Sequence, residues 1–484
     1  MHCTHRKVPN WLRSTWLLAA VLAACPLQAE TSPPHLAPAA PPTPVQTTAP
    51  NRINQPPNII FVLADDLGYG DIGCYGQKKI LTPNLDRMAA EGMRFTQAYA
   101  GCTICAPSRC CLLTGLHTGH ATIRGNPRKG HGDFALGPAD LTVAKVLKQA
   151  GYATGMFGKW GLGESGSTGL PRLQGFDEFV GYLNHKQAHD PFPRVLHTHQ
   201  GEMKLHGNQK DGRGVYSGDV FTEQALRFIR QHRDQPFFLY LPYTAGHFEY
   251  ELKSAAPYSD KNWPKKEKFY AAMITRMDRD IGRIGTLLKE LNLDDETIVF
   301  FSSDNGSTAE GGHEPRFFGS NAPLRGQKRD MYEGGIRVPM IVRWPGHIKA
   351  GSVSHQPWAF WDFLPTAAEI AGAPAPKNID GISILPTLLG QPQKQHEYFY
   401  WEFHEHVPKQ ALRTGDWKAV RLAPDLPLEV YNLKSDSAER RNVAGEYQDV
   451  VARIEKLLQG ARSPNAAWPL KTDHPTEAAT GATR

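Results

Sequence analysis

The stretch Asn58-Ile-Ile-Phe-Val-Leu-Ala64 runs directly into the carboxylates of Asp65 and Asp66. Its unbroken apolar run is typical of a strand that is buried on both faces, as in a largely parallel sheet. Three similar runs follow in the chain, at residues 152–157, 236–241 and 297–303. The alternation of such strands with helical patterns predicts an α/β fold.

Polar side chains stand where these four predicted strands end. In open α/β sheets, ligands bind beyond the carboxyl ends of the strands. We therefore expect the residues that follow the four runs to face one common site. They are Asp65, Asp66, Lys159, His247, Asp304 and Asn305.

The carboxylate and amide oxygens in this set suit a hard divalent cation such as Ca²⁺ or Mg²⁺. Asp65 and Asp66 are adjacent, and two neighbouring carboxylates repel each other unless a cation joins them. Asp304-Asn305-Gly306 has an alternative explanation, because Asp and Asn-Gly also end strands as ordinary turn formers. The pattern favours a metal site but does not by itself require one.

A second candidate site lies in Cys102-Thr-Ile-Cys105-Ala-Pro-Ser-Arg109-Cys-Cys-Leu-Leu-Thr-Gly115. Pro107 favours a first helical turn, so Cys105 is expected at the N-terminus of a helix. The helix dipole and the free backbone N–H groups there favour an anion and help to activate a nucleophile. Arg109, one turn further on, suits an oxyanion or a carboxylate. The alternative is a structural cysteine beside an arginine salt bridge.

Together these motifs resemble the type I sulfatases, the formylglycine-dependent, arylsulfatase-like branch of the alkaline phosphatase superfamily. The signature is Cys105-Ala-Pro-Ser-Arg109 with Leu113-Thr-Gly115. Other matching motifs, in the family's order, are Asn58-Ile-Ile-Phe-Val-Leu-Ala-Asp65-Asp66-Leu-Gly-Tyr-Gly-Asp71, Thr82-Pro-Asn-Leu-Asp86, Gly158-Lys159-Trp160, Ser303-Asp304-Asn305-Gly306, Leu324-Arg-Gly-Gln-Lys328 and Tyr332-Glu-Gly-Gly-Ile-Arg337-Val-Pro339. The resemblance runs from about Pro57 to about Ala444.

The resemblance implies an α/β fold with a large mixed sheet sandwiched by helices, and a smaller C-terminal α+β subdomain with a short antiparallel sheet and a helix. It also implies that a maturation enzyme converts Cys105 to formylglycine, an aldehyde held as a gem-diol. One diol oxygen attacks sulfur and the alcohol leaves; the other hydroxyl then expels sulfate while the aldehyde re-forms. A cation, usually Ca²⁺ in this family, would be bound by Asp65, Asp66, Asp304, Asn305 and the modified Cys105.

The remaining implied roles concern the substrate. Arg109 would hold the formylglycine, and Lys159 and Lys328 would bind sulfate oxygens. His247 would bind the substrate and protonate the leaving alcohol. We also assign His189, on a polar segment, to substrate binding.

The chain departs from the family pattern at Gly161. Family members commonly read Gly-Lys-Trp-His-Leu-Gly where this chain has Gly158-Lys-Trp-Gly161-Leu-Gly163, so a histidine expected to take the diol proton is missing. The diol proton would then be taken by His185 or His189, reaching the site from a loop, or by another group. A surface or substrate-loop role is the alternative for both, and the identity of the base stays open.

The composition is that of an ordinary globular chain. Of 484 residues, 40% are hydrophobic and 21% charged, and 45 Gly with 38 Pro stay below low-complexity levels. These values exclude collagen, coiled coil and wholesale disorder. The net charge of +6 comes without a clustered basic stripe, so nothing indicates a nucleic-acid partner.

The N-terminal segment predicts export. Residues 1–30 combine a basic start with the apolar run 16–24, as in a signal peptide. Leu22-Ala-Ala-Cys25 resembles a lipobox, at which Cys25 would be lipidated, while Leu27-Gln-Ala29 offers an ordinary cleavage site. We expect a protein that is periplasmic or lipid-anchored at the bacterial cell surface or outer membrane.

The rest of the chain divides into a Pro/Thr/Ala-rich tether at 31–55, a catalytic domain at 56–391, a C-terminal subdomain at 392–462 and a disordered tail at 463–484. Residues 178–215 lack periodicity and predict a long substrate loop. An apolar period near 3.6 predicts a helix over 265–291. In the subdomain we expect short strands at 397–403, 418–422 and 428–433, then a helix at 447–458.

The sequence therefore predicts a sulfuric ester hydrolase that releases sulfate from a monoester, with a sulfated carbohydrate favoured over a lipid sulfate. One alternative is a phosphomonoester, phosphodiester or phosphonate hydrolase of the same superfamily. The Cys-x-Pro-Ser-Arg context argues against it, because such relatives mostly use Thr or Ser. The other alternative is a surface lipoprotein that binds sulfated glycans without turnover, which the missing histidine at Gly161 prompts.

Overall fold

The computed structural model of the protein describes residues 55–126, 135–374 and 376–470. The predicted signal peptide, nearly all of the tether, and residues 471–484 lie outside the described residues. Within the described part, no helix combines the length and the apolar character needed to cross a bilayer.

Strands and helices alternate through most of the described chain. The strands are β1 (Asn58–Ala64), β2 (Met93–Tyr99), β3 (Ala153–Lys159), β4 (Glu178–Tyr182), β5 (Val195–Thr198), β6 (Gly201–Lys204), β7 (Phe237–Pro242), β8 (Thr297–Ser303), β9 (Arg337–Arg343), β10 (Ser352–Ser354), β11 (Trp358–Ala359), β12 (Phe399–Phe403), β13 (Lys409–Thr414), β14 (Trp417–Arg421) and β15 (Glu429–Asn432). The helices are α1 (Pro83–Glu91), α2 (Cys105–Thr114), α3 (Val143–Gln149), α4 (Ser217–Gln231), α5 (Lys265–Glu290), α6 (Pro315–Phe318), α7 (Glu333–Ile336), α8 (Phe363–Ile370), α9 (Leu385–Leu388) and α10 (Gln448–Gly460).

The strands β1 to β11 form one mixed sheet among the described residues, in the order β10-β2-β9-β8-β1-β7-β3-β4-β5-β6, with β11 also paired to β2. The central run β8-β1-β7-β3-β4 is parallel. At one side β9 is antiparallel to β8 and β2, and at the other side β5 and β6 continue antiparallel. The prediction of a large mixed sheet is confirmed.

The central strand β1 is buried on both faces because its side chains alternate between two apolar cores. Ile59, Phe61 and Leu63 face the core that includes α2, α3 and α8. Ile60 and Val62 face the core that includes α1, α4 and α5. Helix α5, predicted over 265–291, covers this second face. The sheet is thus sandwiched by helices, which leaves the strand ends as the place for a site.

Part of the segment predicted to be a long loop is instead strand. Within residues 178–215, β4 pairs in parallel with β3, and the hairpin β5-β6 extends the edge of the sheet. The loop prediction is wrong there because β5 and β6 are short strands at one end of the sheet whose side chains are mostly not buried. Such strands lack the apolar run that marks a central strand.

The strands β12 to β15 form a separate antiparallel sheet in the order β12-β13-β14-β15. Trp401, Ala411 and Val420 face the core of the main sheet, whereas Leu412 and Ala419 face α10. The predicted subdomain is confirmed as an antiparallel sheet plus a helix, and it shares a core with the main domain. Strand β13 has no counterpart among the predicted strands because its polar residues Lys-Gln…Arg-Thr hide the alternation.

The expectation of a frayed tail from residue 463 is wrong through residue 470. The backbone N–H of Ser463 donates a hydrogen bond to the carbonyl of Gly119 (3.1 Å). Trp468 is buried in the main core and its indole N–H donates to the carbonyl of Thr122 (3.0 Å). The buried indole and these hydrogen bonds together hold this short segment against the catalytic domain.

Glu402 of β12 is a buried carboxylate that joins three parts of the chain. It accepts hydrogen bonds from Arg124 Nη1 (3.0 Å), Arg462 Nε (2.8 Å) and His404 Nε2 (2.9 Å). Burial alone would raise the pKa of Glu402, but the hydrogen bond from His404 and the charges of Arg124 and Arg462 lower it to about 2. The charged carboxylate therefore stabilises the junction between the two sheets.

Replacing Glu402 with Gln is expected to cost about 3–5 kcal/mol of unfolding free energy, because Arg124 and Arg462 lose their buried counter-charge. The folded-state pKa of Glu402 lies below its ordinary value of 4.5. The difference in unfolding free energy between the wild-type protein and the variant is therefore complete above pH 4.5 and is lost as the pH falls toward 2. Urea unfolding of both proteins across this range measures the difference. Glu455→Gln, which removes a largely exposed partner of Arg421, is the matched control and should cost at most about 1 kcal/mol. Equal losses in the two variants would contradict the assigned role of Glu402.

Candidate active site

Four adjacent parallel strands bring the predicted residues together. Because β8, β1, β7 and β3 are neighbours in one parallel run, their carboxyl ends meet at the same edge of the sheet. The residues delivered there are Asp65, Asp66, Lys159, His247, Asp304 and Asn305, and all of them are buried. The convergence expected from the sequence is what the structure shows, and the chemical roles of these residues stay predictions.

Helix α2 supplies Cys105 and Arg109 to this edge. Cys105 is the first residue of the helix, and Gly115 ends it in a left-handed conformation (φ 71°) that favours glycine. Every residue of α2 is buried, so the helix lies inside the core that it shares with α3 and α8. Cys105 consequently lies in the first turn of a buried helix and lines a cleft.

The guanidinium of Arg109 joins three elements. Its Nε and Nη2 donate to Asp304 Oδ2 (3.0 and 2.8 Å), and its Nη1 donates to the backbone carbonyl of Lys159 (2.8 Å). Nη2 also lies 3.6 Å from Asp65 Oδ1. Arg109 therefore holds the ends of β8, β1 and β3 at one level. Its side chain contacts the carboxylates of Asp304 and Asp65. Among the described residues, no hydrogen bond joins it to Cys105.

Buried charges in the site are paired. Lys159 Nζ donates to Asp65 Oδ2 (2.6 Å). Burial acts to raise the pKa of Asp65, but Lys159, His247 and Arg109 together hold it well below its usual range. Asp304 differs, because burial and the nearby Asp65 carboxylate raise its pKa despite Arg109. A site with this many carboxylates in apolar surroundings favours additional positive charge.

Asp66 forms a second group with Lys328 and Asn305. Lys328 Nζ donates to Asp66 Oδ2 (2.8 Å) and to Glu310 Oε2 (2.7 Å). Asn305 Nδ2 donates to Asp66 Oδ1 (2.7 Å). Burial opposes the charge on Lys328, but Asp66 and Glu310 outweigh it and raise the pKa of Lys328. The ammonium groups of Lys159 and Lys328 are therefore fixed cations at the floor of the site.

Three histidines line the opening. His247 Nδ1 lies 2.6 Å from the carbonyl of Phe248, which can only accept, so this nitrogen carries a proton. His247 Nε2 lies 3.8 Å from Asp66 Oδ2. Burial and Lys159 hold the pKa of His247 well below its usual range. The ring of His189 packs on that of His247 (centroids 4.9 Å apart), and His185 Nδ1 lies 3.5 Å from Cys105 Sγ.

The residues at the strand ends fit a hard divalent cation. Asp65 Oδ1 and Asn305 Oδ1 are buried and have no hydrogen-bond partner among the described residues. Asp65, Asp66 and His247 each offer an atom within 4.8 Å of the others. Carboxylate and amide oxygens are the ligands that Ca²⁺ prefers, so both orphaned oxygens are of the kind that would bind such a cation.

Two residues of the site, Asn126 and Glu310, were not predicted from the sequence. Asn126 places its side-chain amide 3.7–3.9 Å from Cys105 Sγ, and its Oδ1 accepts from the backbone N–H of Ala106 (3.3 Å). Glu310 is the second partner of Lys328 and also accepts from Arg329 (2.8 Å). Neither follows a predicted strand nor belongs to a quoted motif, so no local signal was present.

The site opens into a cleft of about 520 Å³. Most of the residues that line it have polar side chains; besides the histidines and Lys328 they include Asn126, Glu164, Asn184, Lys186 and Arg329, together with the aromatic ring of Phe248. This volume admits a monosaccharide-sized group above Cys105.

Comparisons with known proteins agree with this geometry. A family described as Sulfatase matches residues 57–373, and one described as N-sulphoglucosamine sulphohydrolase, C-terminal, matches residues 326–463. The chain therefore belongs to the sulfatase family, and it is a sulfuric ester hydrolase.

Individual relatives cover most of the chain. The N-acetylgalactosamine-6-sulfatase of Homo sapiens is 33% identical over 459 residues, which span 84% of this chain and 85% of that protein. The N-acetylgalactosamine-6-O-sulfatase of Bacteroides thetaiotaomicron is 31% identical over 489 residues, 85% of this chain and 94% of that protein. The crystal structure of Ps i-CgsB in complex with k-i-k-neocarrahexaose matches with a TM-score of 0.75 and 29% identity, over 84% of this chain and 93% of that chain.

Ca²⁺ is expected to stabilise the folded protein, since it would bind the orphaned oxygens of the native site and not the unfolded chain. At a concentration about 100 times Kd the gain in unfolding free energy is about 2.7 kcal/mol. Asn305→Ala should remove most of this response because it deletes one orphaned ligand without leaving a new buried charge. Thermal unfolding with and without Ca²⁺, and with Mg²⁺ for comparison, measures the response. Asp234→Asn, on an exposed side chain, is the control. An unchanged response in Asn305→Ala would place the cation elsewhere.

Proposed function

We propose that the protein hydrolyses a sulfate monoester on a carbohydrate, using formylglycine made from Cys105 and a divalent cation, with Ca²⁺ favoured over Mg²⁺. The observation that carries this proposal is the group of charges at the floor of the cleft, where Lys328 lines the same cleft as Cys105 and the ammonium groups of Lys328 and Lys159 are paired with Asp66 and Asp65. When present, formylglycine supplies the hydrated aldehyde that attacks sulfur, and the cation withdraws charge from the sulfate oxygens. A maturation enzyme that performs the Cys105 conversion is part of the proposal.

The residues of the chain take the following roles in it. Lys159 and Lys328 bind sulfate oxygens, and their paired carboxylates keep them charged and in place. Arg109 fixes Asp304 and the end of β3, which sets the position of Lys159. His247 presents Nε2 to the site, and the negative charge of a bound sulfate favours the protonated ring that can donate to the leaving alcohol.

The cleft supports a sugar as the alcohol. Phe248 and His189 form an aromatic wall with ring centroids 4.4 Å apart, and sugar rings stack on such surfaces. Asn184, Glu164 and Arg329 offer polar groups for hydroxyls on the other sides. The names of the relatives point in the same direction, since two are called N-acetylgalactosamine-6-sulfatase or -6-O-sulfatase and a third structure is described as a complex with k-i-k-neocarrahexaose.

Protein matured in its native host is expected to release inorganic sulfate from sulfated galactose or N-acetylgalactosamine oligosaccharides, with aryl sulfates as surrogate substrates. Cys105→Ala should abolish release because it removes the precursor of the nucleophile, while Cys74→Ala, on a thiol of the opposite core, should retain it. Ion chromatography measures sulfate, and mass spectrometry of the residue 105 peptide measures the aldehyde. Faster turnover of phosphate or phosphonate esters would contradict the proposal. Glycan binding without sulfate release, in protein with a confirmed aldehyde, would favour the binding lipoprotein.

We propose further that the protein is exported and anchored by a lipid on Cys25 after removal of the signal peptide. The support is the lipobox-like Leu22-Ala-Ala-Cys25 and the Pro/Thr/Ala-rich tether at 31–55 that follows it. Cys25→Ala is expected to move the protein from the membrane fraction to the soluble periplasmic fraction, measured by fractionation and immunoblotting. Cys3→Ala, which changes a cysteine outside the lipobox, should leave the membrane fraction unchanged. Soluble protein in the unaltered strain would instead indicate cleavage after Ala29.

A further inference from the structure

His185 is the histidine that the structure places against Cys105. Its Nδ1 lies 3.5 Å from Sγ, and its Nε2 is buried without a hydrogen-bond partner among the described residues. The ring belongs to the segment that follows β4, within the region where the sequence predicts a substrate loop. Most buried polar nitrogens are satisfied by a neighbour, so an imidazole held in this way is unusual.

The backbone of Gly161 lies directly against this ring. Gly161 adopts φ +79°, and a Cβ built on it would lie 2.7 Å from His185 Cε1. The backbone N–H of Gly161 also donates to the carbonyl of Leu183 (3.0 Å), which fixes the chain two residues before His185. The His185 ring therefore occupies the volume that any side chain at residue 161 would need.

Other groups near Cys105 are less suited to accept a proton. Lys159 and Lys328 are cations held by carboxylates, and Asn126 has an amide that is not basic. His247 has Nδ1 engaged by the carbonyl of Phe248, and its Nε2 faces Asp66. Among the described residues, His185 is the imidazole whose ring nitrogen contacts the side chain of residue 105.

We propose that His185 accepts the proton from the free hydroxyl of the sulfated formylglycine hydrate in the second half of the reaction. The O–H bond breaks and its electron pair forms the C=O bond of the aldehyde. The bond between that carbon and the oxygen bonded to sulfur breaks, and sulfate leaves with the electron pair. His185 then returns the proton to solvent, and water rehydrates the aldehyde. The inference rests on the proposed conversion of Cys105.

The test compares wild-type protein with His185→Ala and His185→Gln, each with its aldehyde content measured first. The substrate is the sulfate ester that the wild-type protein hydrolyses. We expect kcat to fall about 100-fold or more. The first half of the reaction is intact in these variants, so one equivalent of alcohol per aldehyde is released in a burst. Intact-mass spectrometry after acid quenching should then show most of the protein heavier than the hydrated aldehyde by one SO₃ group.

His199→Gln is the matched control, because this histidine bonds the carbonyl of Phe176 on the far side of the same segment. It should show no burst, no added mass and wild-type kcat. A fall in kcat in both His185 variants without a burst or an adduct would overturn the proposal, and so would unchanged turnover. Failure of the proposed function would appear differently, as a missing aldehyde or as no sulfate release by the wild-type protein.

Discussion

Arg109 is buried completely, and its guanidinium bonds Asp304 Oδ2 twice while also contacting the backbone of Lys159. A buried arginine without partners would be very costly, so these contacts must form for the site to exist. They in turn require β8 and β3 to end at the same level on either side of β1 and β7. The parallel run at the centre of the sheet satisfies this requirement, because all four strands point the same way.

Charge compensation extends this constraint through the site. The acidic groups of Asp65, Asp66 and Asp304 face the basic groups of Lys159, Lys328 and Arg109, so the folded protein places opposite charges against each other in a buried site. Each pair also positions a group that the proposed chemistry uses. Among the described residues of the site, one oxygen of Asp65 and one of Asn305 have no hydrogen-bond partner, and they mark where a further cation fits. Stability and function therefore depend on the same contacts.

The C-terminal sheet shows a similar use of buried charge at a distance from the cleft. Lys418 of β14 lies between Glu333 and Glu439 (3.0 and 2.8 Å), and Glu402 lies among Arg124, Arg462 and His404. These contacts join the small sheet to the segments around α2 and α7. The apolar face with Trp401 packs on the same core. The subdomain thus supports the helix that carries Cys105 and is not an independent module.

The amino-acid sequence by itself determined the central strands, the helix that begins at Cys105, and the six residues at the strand ends, because apolar runs, Pro107 and the quoted motifs are local signals. It did not reveal the hairpin β5-β6, the packing of Trp468, or the contacts of Asn126 and His185 with Cys105. These depend on residues that are far apart in the chain and carry no periodic pattern. Gly161 illustrates the difference: the sequence shows a departure from the family motif, but only the folded chain shows that the ring of His185 fills the space. Local patterns fix where a strand or helix forms, whereas the shape of the remaining volume decides which distant side chain occupies it.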